Sequence, residues 1–92
     1  MNVRDLQGWP PKWRLASGAT GDPTHGEHGT LIAVRWDSKR QSVTLTMEDA
    51  GDRYFGVLED GVKLLTTLYR LLGWYIGRPL ARIGSLELDG KR

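Results

Sequence analysis

The chain contains no cysteine in its 92 residues. Disulfides, thiolate metal sites and cysteine nucleophiles are therefore excluded. No apolar stretch approaches the roughly 18–20 residues that a membrane-crossing helix needs. Met1 to Gly8 lacks the apolar run of a signal peptide, so a cytoplasmic location and no membrane partner are expected. No glycine-rich dinucleotide fingerprint or P-loop pattern occurs. Ser17, Ser38, Ser42 and Ser85 stand in no nucleophile-elbow context. No cofactor is expected, and catalysis is not the favoured reading. Net charge is also scarce. Thirteen Lys and Arg against eleven Asp and Glu leave +2, too little by itself to imply a polyanionic partner.

The one abundant unusual residue is Trp, at positions 9, 13, 36 and 74. A chain this short buries only about 60–65% of its extended surface, so large apolar side chains must supply much of the stability. Aromatic residues are also enriched at interfaces, which makes self-association or a protein partner the second explanation. The charges fall in blocks. Residues 1–40 carry +2, residues 41–62 carry −4 and residues 63–92 carry +4. An acidic middle between basic ends gives a surface of two signs that can orient a partner.

Residues 1–29 read as an irregular arm. Trp9-Pro10-Pro11-Lys12-Trp13 holds two residues with fixed φ and no backbone donor, which favours a polyproline II segment. Residues 17–29 are rich in Gly, Pro and small polar side chains and read as a long loop. A core then occupies residues 30–92. Leu31 to Trp36 is strand-like. Val43, Leu45 and Met47 alternate with Thr44 and Thr46, which predicts a half-buried strand. Arg53 to Leu58 makes a third strand, and Gly51 in the preceding turn suits a positive φ. Short polar separators favour an antiparallel meander.

Asp60 is a candidate N-cap for a helix predicted over Val62–Tyr75. Leu65, Leu68, Leu72 and Tyr75 form its apolar stripe, widened by Leu64 and Leu71. Pro79 to Ile83 suits a short helical turn, and Ser85 to Leu88 alternates like an edge strand. The expected fold is α+β: an antiparallel β-meander with one main helix packed on the sheet, a short helical turn and a C-terminal edge strand. A small curled barrel plugged by the helix is the alternative.

Four candidate sites follow. Asp22, His25, Glu27 and His28 include imidazoles and carboxylates that can ligate zinc. Their spacing is not the helical His-Glu-x-x-His pattern, and solvated turn residues are the simpler reading. Glu48, Asp49 and Asp52 form an acidic turn too short for an EF-hand loop. Arg70, Arg78 and Arg82 are the basic positions of a nucleic-acid alternative, with Trp36, Tyr54 or Trp74 available for base stacking. The preferred interaction feature is Trp9, Pro10, Pro11 and Trp13. Pro-rich extended segments dock in aromatic grooves at low ordering cost. The same segment is also suited to covering its own sheet. Trp36 and Trp74 lie inside predicted regular elements and need only a core explanation. The expected function is a protein–protein interaction or scaffolding domain, with a homo-oligomer or another protein as partner. Weak nucleic-acid binding and a small metal-dependent enzyme using His25 and His28 are the alternatives.

Overall fold

The computed structural model of the chain describes residues 1–17, 28–59 and 64–88. Four strands form one antiparallel sheet: β1 (Arg14–Leu15), β2 (Thr30–Asp37), β3 (Ser42–Asp49) and β4 (Asp52–Leu58). Their spatial order is β1-β4-β3-β2. One helix, α1 (Leu65–Gly73), lies against β2 and β3. Among the described residues, two short 3-10 segments, Val3–Asp5 and Leu80–Ser85, pack on each other. This is the α+β meander with one main helix that the periodicity predicts.

The turns follow from local chemistry. Asp37 closes the β2–β3 loop by accepting from the backbone N–H groups of Lys39 (3.0 Å) and Arg40 (3.2 Å). A short carboxylate bonding its own downstream backbone is the usual way Asp stabilises a turn. Between β3 and β4 only Ala50 and Gly51 intervene, with φ of 53° and 84°. Two consecutive positive φ values give the hairpin twist that matches the twist of the flanking strands.

Register assigns the two sheet faces. Trp36–Val43–Leu58, Val34–Leu45–Gly56 and Leu31–Met47–Tyr54–Leu15 are cross-strand rows on the helix side. Leu31 and Val34 are three apart, so a regular strand would send them to opposite faces. An irregularity between Leu31 and Ala33 adds one residue to β2 and returns both to the core side. Val43, Leu45 and Met47 are fully buried there, as are Leu68 and Leu72 of the helix.

The N-terminal segment belongs to this same core. Val3, Leu6 and Trp13 are buried with the sheet and helix residues, and Trp9 and Leu15 pack against them. The Trp9–Pro10 peptide is cis. Pro11 and Trp13 lie over Gly56 of β4. A Cβ at Gly56 would stand 2.7 Å from Pro11 Cγ and 2.8 Å from two Trp13 ring carbons. The absent side chain is therefore the seat of the indole. Just beyond it, β1 pairs Arg14 with Phe55 and Leu15 with Tyr54, and the Ala16 N–H donates to the Arg53 carbonyl at 2.9 Å.

Three expectations change in detail: the fourth strand, the C-terminal segment and the helix end. The fourth strand is Arg14–Leu15. Ser85 to Leu88 forms no sheet strand: Ser85 closes the second 3-10 helix, and Glu87 makes only an isolated bridge to Asn2. There the termini clasp, with Val3 N–H on the Leu86 carbonyl (3.0 Å) and Leu88 N–H on the Met1 carbonyl (2.8 Å). The helix ends earlier than Tyr75. Trp74 and Tyr75 donate to Leu71 and Leu72, three residues back, so the last turn tightens. The Asp60 cap lies outside the described residues, and Leu64, at φ 67°, holds the N-cap position.

Replacing a strand-interior Gly by Ala ordinarily favours the strand, because Ala has less backbone freedom to lose. At Gly56 the sign reverses. Gly56→Ala is expected to destabilise by about 1–3 kcal/mol, since the indole or the proline must shift. Urea denaturation checks this; a gain in stability would mean the ring does not rest on β4.

Candidate functional site

Side chains from three of the sequence candidates are placed very differently. Trp13 is 4% exposed and Pro11 is buried, so both are committed to the chain's own core. Of the Trp-Pro-Pro-Lys-Trp segment, only Pro10 and Lys12 are exposed, and Trp9 is half-buried. Asp22, His25 and Glu27 lie outside the described residues, and His28 is exposed. Among the described residues no three His, Asp or Glu side chains converge as a metal site. Arg70, Arg78 and Arg82 are all exposed.

The expectation for Trp74 is overturned. It is 80% exposed, the most of any large apolar side chain described. The physical reason lies in helical phase. Leu65, Leu68 and Leu72 define the buried stripe. A residue two positions beyond Leu72 points away from that stripe. Trp36 is half-buried and meets Tyr69 of α1 with ring centroids 5.9 Å apart, so it joins helix to sheet.

A further surface is the second face of the sheet. Alternation places there Arg35–Thr44–Val57, Ala33–Thr46–Phe55–Arg14 and Glu48–Arg53, with Asp37 and Ser42 at the hairpin end. The helix lies on the opposite face. Phe55 and Val57 are 38% and 44% exposed. A hollow of about 600 Å³ is lined by Arg35, Asp37, Ser38, Lys39, Thr44, Thr46 and Phe55, with Trp36 at its side. Sequence reasoning identified Thr44 and Thr46 as the polar side of a strand. It missed that Phe55 and Val57 share that side. The signal was present: Arg53-Tyr54-Phe55-Gly56-Val57-Leu58 is apolar at both parities, so one aromatic or branched set had to face away from the core.

The open sheet face is chemically mixed. Ala33, Thr44, Thr46, Phe55 and Val57 make a small-residue and apolar centre. Arg14, Arg35 and Arg53 flank it together with Asp37 and Glu48. The chain matches no protein-family model, no curated protein and no solved structure.

The two tryptophans give opposite expectations for stability. Trp13→Ala removes a buried indole and is expected to cost about 3–5 kcal/mol. Trp74→Ala is expected to change stability by no more than about 0.5 kcal/mol. Parallel urea titrations of the two variants decide this. Equal losses would contradict the assignment of one Trp to the core and the other to the surface.

Proposed function

We propose that this chain is a self-associating interaction domain in which two copies pack their uncovered sheet faces together. The observation that supports this most directly is the exposure of Phe55 and Val57 at the centre of a face that carries no helix. An apolar centre within a charged rim is the common anatomy of a protein interface. The rim also argues for a second copy. Two-fold pairing sets a patch against itself, so a rim of one sign would repel. Here Arg14, Arg35 and Arg53 stand beside Asp37 and Glu48, and each sign finds the other across a two-fold axis. Sheets packed face to face lie about 10 Å apart, a spacing that lets side chains from both inner faces interdigitate. The hollow beside Phe55 gives the opposing ring a place to enter.

The test is molar mass by light scattering over a concentration series. The wild-type chain is expected to move from 10.3 kDa toward twice that value as concentration rises. Phe55→Lys with Val57→Lys is expected to hold the monomer mass while keeping the circular dichroism of the folded chain. A wild-type mass that stays monomeric at every concentration would contradict the proposal. So would a dimer that the double substitution leaves intact.

A further inference from the structure

The basic end of the chain carries a second surface that the sheet face does not explain. From residue 61 to residue 86 the sequence has no Asp or Glu, while Lys63, Arg70, Arg78 and Arg82 fall within it. Trp74 stands in the middle of this stretch, 80% exposed, followed by Ile76 at 48%. Arg70 lies one helical turn before Trp74, so the two share a side of the helix end. Arg78 follows four residues after it, with its guanidinium carbon 5.6 Å from the centre of the Tyr75 ring. That geometry is a cation–π contact, which restrains a long flexible side chain without neutralising it.

The backbone beneath is also held. Gly77 N–H donates to the Leu31 carbonyl at 2.7 Å, Leu31 N–H to the Arg78 carbonyl at 3.0 Å, and Leu80 N–H to the Gly29 carbonyl at 2.8 Å. The segment that follows Trp74 is thus fastened along β2. An exposed indole on a fastened turn, with cations on both sides and no nearby carboxylate in sequence, has the two parts needed to hold single-stranded nucleic acid. The ring offers a flat stacking surface that every base can use, and the cations attract the phosphates. A duplex hides its base faces and leaves the indole nothing to stack on. An anionic bilayer offers similar charge but rewards a wider apolar wedge than one Trp and one Ile.

We infer that Trp74, together with Arg70, Arg78 and Arg82, binds single-stranded nucleic acid without strong sequence preference. This does not rest on the pairing of sheet faces, which uses other residues on another part of the sheet.

The experiment is fluorescence anisotropy of the full chain with a labelled oligothymidine of about a dozen nucleotides, repeated over a salt series. Binding is expected at low salt, with log affinity falling against log salt at a slope of about −2 for three phosphate contacts. Trp74→Ala is expected to weaken binding by about fivefold or more. Arg78→Gln is expected to make the slope shallower by about 0.7. A duplex of equal length is expected to bind more weakly than the single strand. Circular dichroism of each variant establishes that it remains folded. The inference is overturned if the oligonucleotide does not bind at low salt, or if Trp74→Ala binds as the wild type does. It is also overturned if anionic phosphatidylserine vesicles blue-shift the tryptophan emission while the oligonucleotide produces no response.

Discussion

The fit of the Trp13 indole against the bare backbone of Gly56 is the contact around which this small domain is organised. A sheet of three long strands with the nine-residue helix α1 leaves part of its core side uncovered at β4. The N-terminal segment fills that place. Once Pro11 and Trp13 are seated, Arg14 and Leu15 arrive at the edge of β4 in register and become the fourth strand. Pro11 needs no backbone partner for a donor it lacks, which suits the approach to an edge. Leu6 and Val3 continue the apolar path toward the second 3-10 helix, where Leu80, Ile83 and Leu88 are buried. The Met1–Glu87 ion pair at that clasp is half exposed on both sides and adds little by itself.

How much of this was legible in the sequence depends on whether the cause is local. The three long strands and the helix stripe follow from alternation and from Leu65, Leu68 and Leu72, and these are local. The hairpin at Ala50-Gly51 follows from turn chemistry. The extra residue near Ile32 was not legible, because the run Leu31 to Val34 is apolar throughout and carries no phase. Strand β1 was not legible either. Two residues, Arg14 and Leu15, have no periodicity, and their pairing exists only because Trp13 is held over a glycine more than forty positions away. Trp13 and Trp74 also exchange their expected roles. Proline flanks made the first pair look like an exposed ligand, and a helical neighbourhood made Trp74 look like core. Tertiary fit decided the first, and helical phase relative to Leu65, Leu68 and Leu72 decided the second.

With the N-terminal tryptophans committed to the core, the surfaces that remain are separated by chemistry. The open sheet face mixes small and apolar side chains with charges of both signs, which suits a copy of itself. The helix end is aromatic, apolar and basic, in a stretch from residue 61 to residue 86 that has no Asp or Glu, which suits a polyanion. The acidic middle of the chain lies between them in sequence: Glu48 and Asp49 close β3, and Asp52 opens β4. A domain that pairs through one surface presents two copies of the other. Weak contacts with a strand are then strengthened by a raised effective concentration. This joins the two proposals without making either depend on the other.

The central claim is that the N-terminal segment is part of the cooperative core and not an attachment to it. Native-state hydrogen exchange tests that claim most directly, because exchange reports opening free energies amide by amide. The amides of Val3 and Ala16, bonded to the Leu86 and Arg53 carbonyls, are to be compared with those of the central strand β3. If Trp13 and Gly56 lock the segment to the sheet, all of them exchange through the same global opening, with matching free energies and matching denaturant dependence. Exchange of Ala16 through a low-energy opening that leaves β3 protected would show an arm that peels away from a self-sufficient core, and would contradict the account.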